Sequence, residues 1–335
     1  MILTYKVKHG RDFTTELGKA RKIAKFAIVN RDKLSTKSVK HIGLKAAISN
    51  QILRKYGRNK KAESITSVNL VVPNYHIRNT GTHITIPCLK LELDLPVKNF
   101  TKVNQVELNK EYAFISVTVP EQELVEPKSY LGVDLNATGH IAVMANPETG
   151  KVEKMGKQAR YIHDKYKHIR KTLQKQGKLG LLKKIKHRES NKVRDLNHKI
   201  SKHIVEVAKE KGMGIKLEAI KGIHNTRKKS RSFNHTLHSW SFYQLGQFIE
   251  YKAKLNGVAV AYIEPAYTSQ NCSICGYLGK RNGKEFECSH CGHVDHADSN
   301  ASFNIAERQI QNIGLLNIDR DMFKGYTDTP KEALV

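Results

Sequence analysis

Three carboxylates stand in this chain where carboxylates are costly. Asp134 lies inside the apolar run YLGVDLN, Glu218 inside IKLEAI, and Asp298 directly before SNASFNI. A charged side chain in an apolar strand is destabilising unless it is paired or ligates a metal. Singly, each reads equally well as a strand-end residue facing water. As a set they read differently. Two fall on strands expected to be neighbours in one sheet, and the third opens the helix after the last strand, so one sheet edge can collect all three. Converging carboxylates with little thiol or imidazole nearby are hard oxygen donors, suited to Mg²⁺ or Mn²⁺ rather than zinc. Two such ions about 3.5–4 Å apart clamp a phosphodiester, one activating water and the other stabilising the leaving oxygen.

A second constellation precedes the third acid. Cys272, Cys275, Cys288 and Cys291 form C-x2-C-x12-C-x2-C, each pair followed by glycine. Each pair can take two vertices of a tetrahedron, and glycine gives the backbone room to turn around the metal. Four thiolates leave no open position for water, so one structural Zn²⁺ is expected. His290, His293 and His296 are then unnecessary as ligands and are expected at the surface. Folded around zinc, the loop acts as a clasp that sets Asp298 in place.

Composition supplies the partner. Of 335 residues, 58 are Lys or Arg and 31 Asp or Glu, a net charge of +27. An excess of this size points to phosphate-rich partners, because each neutralised phosphate releases counterions. Between Lys151 and Gly212 there are 20 Lys and Arg against 6 Asp and Glu, a net of +14. Within it Lys183, Lys184, Lys186 and Arg188 are candidate phosphate contacts. So are Arg227, Lys228, Lys229 and Arg231 in KGIHNTRKKSR (221–231), which directly follows Glu218 and reads either as a lid over the site or as a basic loop. No apolar run approaches the ~18 residues of a membrane span, and MILTYKVKHGRDF has no apolar signal-peptide core. Five cysteines, four in tight pairs, suit a metal site in a reducing compartment better than a disulfide framework. The cytoplasm of a prokaryotic cell, on the nucleoid when DNA is bound, is the expected location.

The elements that position these residues follow from periodicity. Residues 2–8 read as a strand, and 14–30 and 38–57 as helices. From 64 to 120, β-rich runs broken by Asn, Gly and Pro predict a small antiparallel sheet or barrel, with Cys88 as a packed core thiol. Strands follow at 130–135, 140–145 and 151–155. A basic helical stretch at 158–211 is interrupted at Gly177 and Gly180. Then come a strand at 213–220, an amphipathic helix at 239–255 with Trp240, Tyr243 and Phe248 on its packing face, a strand at 257–264, and a helix at 299–311. That order predicts a mixed α/β sheet covered by helices, led by three hairpin strands.

Several segments carry a resemblance. GVDL (132–135), KLEAIKGI (216–223), HSWSFYQLGQFIEYKA (238–253), TSQNCSICG (268–276) and CSHCGHVDHADSNASFNI (288–305) resemble the RuvC-like nuclease half of TnpB (OrfB) proteins. These are transposon-associated, RNA-guided endonucleases related to the type V CRISPR effectors. The resemblance implies an RNase H-like RuvC domain over 128–311 with a zinc-ribbon insertion at 268–296. It also implies a wedge-like β-barrel over 1–127 with a helical recognition insertion at about 11–60, and an irregular tail at 312–335. Asp134, Glu218 and Asp298 would be the catalytic ligands of Mg²⁺ (or Mn²⁺), Asp298 rather than Asp295 because the family's acid stands two before the Asn of an Asn-Ala pair. The partners implied are a guide RNA and double-stranded target DNA, cut beside a short flanking motif. One departure stands out: glycine commonly follows the first motif's leucine, where this chain has Asn136, a turn-former replacing a turn-former. An RNA-guided DNA-binding regulator without cleavage is the alternative, and the acidity of all three positions favours the enzyme.

Overall fold

The computed structural model describes residues 1–31, 34–136, 139–219, 242–310 and 332–333. It divides near Pro120 into two units. In the first, β1 (Ile2–Lys8) is followed by the helices α1 (Thr14–Val29) and α2 (Ala46–Arg58), then by β2 (Leu70–Pro73), β3 (Arg78–Asn79), β4 (His83–Ile86), β5 (Leu91–Asp94), β6 (Lys102–Leu108) and β7 (Tyr112–Thr118). β1, β7, β6 and β2 pair antiparallel in that order. Ala20, Ile23, Ala24 and Ala27 of α1 and Ile48 and Ile52 of α2 pack into one core with Leu70, Val72, Val106 and Ile115 of the sheet.

The expected barrel does not form among the described residues. β2 ends at Pro73, which has no N–H to offer a ladder. The chain beyond it pairs within itself as the separate sheet β3-β4-β5 instead of joining β2 back to β1. The helix expected over 38–57 is also divided: a 3₁₀ turn at Lys37–Ile42 ends at Gly43, whose φ of 74° is left-handed, and α2 starts afresh. Cys88 sits in a tight turn after Pro87 and is half-buried against the core rather than inside a strand.

The second unit holds the acids. Its elements are β8 (Tyr130–Leu135), β9 (Ala142–Asn146), β10 (Lys151–Met155), α3 (Gln158–Lys175), α4 (Leu179–Ile185), α5 (Arg188–Lys211), β11 (Gly214–Glu218), α6 (Phe242–Leu255), β12 (Val260–Ile263), the short strands β13 (Lys280–Asn282), β14 (Glu285–Glu287) and β15 (Val294–His296), and α7 (Ala297–Glu307). The sheet order is β10-β9-β8-β11-β12, with antiparallel pairing among the first three and parallel pairing of β11 to both β8 and β12. The basic stretch breaks at Gly177 (φ 64°) and again at His187, while Gly180 is accommodated inside α4.

Strand alternation decides what each face carries. Leu131 and Val133 of β8 and Ile215 and Leu217 of β11 join one core with Ile200, Ile204 and Ala208 of α5 and Leu245, Ile249 and Ala253 of α6. Gly132, Asp134, Lys216 and Glu218 therefore share the opposite face, which α7 covers. The approach of α7 is close: a Cβ at Gly132 would lie 2.0 Å from the Ser302 carbonyl oxygen and 2.5 Å from the Ala306 nitrogen. At the far end of α7, Lys216 Nζ donates to the carbonyls of Ala306 and Arg308, each at 2.7 Å, and lies 4.7 Å from the centre of the Tyr130 ring. A lysine in the middle of a strand is thus the C-terminal cap of a helix. Gly132→Ala is expected to push α7 off the sheet and cost about 1–3 kcal/mol or more, read as a lower denaturation midpoint in urea. An unchanged midpoint would show that α7 does not rest on β8 at this glycine.

Candidate functional site

Register sets two of the acids side by side. Lys216 pairs with Gly132 and Leu217 with Val133, so one further step along the strands puts Glu218 beside Asp134. Both strands end at this edge. Asp298, in the first turn of α7, faces them from above the sheet and is fully buried; Asp134 is 8% exposed.

Each carboxylate has its own support. Asn136 Nδ2 donates to Asp134 Oδ2 at 2.8 Å. The Thr268 hydroxyl donates to Glu218 Oε1. Lys284 Nζ meets Asp298 Oδ2 at 2.6 Å and Arg281 Nη2 meets Oδ1 at 3.3 Å, while the backbone N–H of Asp298 donates to His296 Nδ1, an N-cap. Burial, then the neighbouring Glu218 and Asp298 charges, push the Asp134 carboxyl up to about 7, against the hydrogen bond from Asn136. Burial likewise raises Glu218, opposed by the Thr268 hydrogen bond. Three acids crowded at a buried edge call for a cation, and an all-oxygen set suits a hard divalent one. The residues present fit Mg²⁺ or Mn²⁺.

The cysteines form a tighter cluster. Among the described residues they are the one group of three or more Cys, His, Asp or Glu whose ligand atoms all lie within 4.8 Å of one another. Cys272 Sγ is 3.6 Å from Cys291 Sγ and Cys275 Sγ 3.5 Å from Cys288 Sγ. A tetrahedron with Zn–S bonds of about 2.3 Å has S···S edges of about 3.8 Å, so the four sulfurs are nearly at zinc spacing. Two asparagines sew this ribbon to α7. Asn300 Oδ1 accepts from Ser273 N at 2.8 Å and its amide donates to the Asn271 carbonyl at 2.7 Å. Asn304 donates to the Thr268 and Asn271 carbonyls at 2.8 and 2.7 Å. Thr268 therefore joins Glu218, the ribbon and α7 at one point.

Sequence reasoning took Asn136 only as a turn-former and passed over Thr268, Arg281 and Lys284, because nothing in their local spacing announces which carboxylate they reach. It also put His293 and His296 at the surface; both are half-buried, and His296 caps α7. His290 is exposed and stacks on Tyr277 with ring centres 3.8 Å apart. Tyr243 is exposed rather than packed, and Phe248 stacks on His198, with Leu245, Ile249 and Ala253 forming the buried stripe of α6. Lys183 and Lys184 on α4, Lys186 and Arg188 are all exposed. Arg227, Lys228, Lys229, Arg231 and Trp240 lie outside the described residues.

Comparison with known proteins decides the family. The chain is 32% identical over 230 residues to a TnpB-like protein of Methanocaldococcus jannaschii, covering 64% of this chain and 80% of that protein. The chain belongs to the TnpB-like family. Residues 242–305 match the family model "Cas12f1-like, TNB domain". A CRISPR-associated endodeoxyribonuclease Cas12f1 of Syntrophomonas palmitatica is 32% identical over 220 residues, covering 58% of this chain, and the chain spans only 43% of that longer protein. In fold, the chain resembles Cas12f1 from a cryo-electron-microscopy complex with single guide RNA and target DNA, with a TM-score of 0.61 at 15% identity over 89% of this chain and 82% of that one. No helix among the described residues is long and apolar enough to cross a membrane.

The raised Asp134 makes a pH prediction. Its carboxyl titrates near 7 in the folded chain against 3.8 ordinarily, so the folded state holds a proton that the unfolded state has lost. Stability from this group is then lost as pH rises from about 4 through 7, by up to about 4 kcal/mol. Without added divalent cation, Asp134→Asn is expected to gain stability over the native chain between pH 5 and pH 8. Denaturation midpoints that differ equally at both pH values would contradict it.

Proposed function

We propose that the chain is an RNA-guided, metal-dependent endonuclease of double-stranded DNA. The observation that carries this reading is the meeting of three carboxylates, the buried Asp134 and Asp298 and the half-buried Glu218, from β8, α7 and β11, in a TnpB-like chain of net charge +27. Relatives that are named endodeoxyribonucleases, and a Cas12f1 fold neighbour solved with guide RNA and target DNA, support it. In this reading the five-stranded sheet is RNase H-like, and Asp134, Glu218 and Asp298 hold two Mg²⁺ or Mn²⁺ ions. When bound, such ions activate the attacking water and stabilise the leaving oxygen of the phosphodiester.

The chain's own residues prepare that chemistry. Asn136 and Thr268 fix the orientation of the first two carboxylates, and the zinc-held ribbon fixes the third through Asn300 and Asn304. Lys183, Lys184, Lys186 and Arg188 are free to follow a phosphate backbone. Sequence is read by base pairing between guide and target strand, and the protein reads duplex shape and a short flanking motif.

The test is cleavage by the protein purified with its accompanying RNA, on plasmids that match that RNA beside randomised flanks, with Mg²⁺ present. Double-strand breaks next to one enriched flank, lost in Asp134→Ala while flank-specific binding persists, are expected. Binding without breaks by the native protein would make it a guided regulator instead.

A further inference from the structure

Asp298 already has a cation on it. The turn between β13 and β14 carries Lys284, whose carbonyl oxygen accepts from Ala297 N at 2.8 Å and so pins the turn to the first residue of α7. From there Lys284 reaches Asp298 Oδ2 at 2.6 Å. The acid is fully buried, whereas the lysine side chain keeps 37% of its surface in solvent. Arg281, on the other oxygen, is anchored to its own hairpin by a 3.1 Å hydrogen bond from Nε to the Gly283 carbonyl. Among the described residues, Asp298 is the one hydrogen-bonding partner of the Lys284 ammonium.

These differences separate the two cations. Arg281 is braced, and its planar fork belongs to the resting structure. Lys284 is a point charge on a flexible four-carbon stem with an open route to water. Where Lys284 brings one positive charge to these acids, a divalent ion brings two, so it competes with the ammonium on favourable terms.

We propose that Lys284 is a resident counter-cation of the carboxylate site, holding the Asp298 carboxylate in place until a divalent metal displaces it into solvent. Metal loading is then a competition with a lysine supplied by the zinc ribbon. This rests on the metal-site reading above.

The test uses the full chain with its zinc, titrated with Mn²⁺ and followed by electron paramagnetic resonance of the free ion. Binding lost in Asp298→Ala defines the carboxylate site. Lys284→Met should bind Mn²⁺ at that site roughly tenfold or more tightly, the gain from removing a competing buried charge. Lys284→Arg, which keeps the charge, should stay much closer to the native affinity. In the native protein, acetic anhydride labelling of Lys284, read by mass spectrometry, should rise several-fold on Mn²⁺ saturation. That measurement decides the matter even if Lys284→Met fails to fold. No Asp298-dependent Mn²⁺ binding in the native chain would overturn the metal site itself. Normal native binding, with Lys284 labelling and Lys284→Met affinity both unchanged, would overturn only the role given to Lys284.

Discussion

Helix α7 lies so close to β8 that one methyl group at Gly132 would meet the Ser302 carbonyl oxygen at 2.0 Å. Everything at the carboxylate site depends on that approach. A helix resting on side chains would stand further off, and Asp298 with it. Here backbone meets backbone, which only glycine permits, and Asp298 comes within electrostatic reach of Asp134. The glycine two residues before an acid in GVDL is thus part of the same device as the acid. Lys216 completes it from the neighbouring strand by closing the C-terminal carbonyls of α7.

Placing these acids at the sheet edge carries a cost: burial pushes both Asp134 and Glu218 up, and at Asp134 the neighbouring Glu218 and Asp298 charges add to it. The fold offsets it with directed groups rather than bulk solvent. Asn136, Thr268, Lys284 and Arg281 each bring a donor to a particular carboxylate oxygen. Two of these donors, Arg281 and Lys284, come from the four-cysteine ribbon, and Thr268 comes from the segment leading into it. The ribbon is therefore both clasp and counter-charge, which is why a four-cysteine loop runs straight into an acid at the head of a helix.

Much of this was legible in the sequence, for identifiable reasons. Period-two alternation in YLGVDL and IKLEAI separates the core-facing Leu and Ile from the Asp and Glu between them, and the strand and helix order of the second unit follows from its runs. The paired cysteines speak through spacing alone. What stayed hidden depends on tertiary placement. Whether the β-rich runs of residues 64–120 close into a barrel depends on which strands pair at the edges, and Pro73 and the self-paired β3-β4-β5 sheet leave them open. Asn136 read as a turn-former, yet its amide holds Asp134. Lys284 sits in an ordinary Asn-Gly-Lys turn, and its partner lies 14 residues on, across a fold that local pattern does not describe.

The central claim is that zinc in the ribbon, through Asn300 and Asn304, fixes the helix that carries Asp298. Hydrogen–deuterium exchange of the native chain and of Cys272→Ser, compared by mass spectrometry, tests it most directly. Structural zinc contributes folding free energy on the order of 10 kcal/mol. Its loss should therefore deprotect the ribbon and the amides of α7 together, while β8, β9 and β10 keep their protection. A zinc-free Cys272→Ser protein in which α7 exchanges as slowly as in the native chain would show that the helix holds Asp298 without the clasp, and would contradict the account.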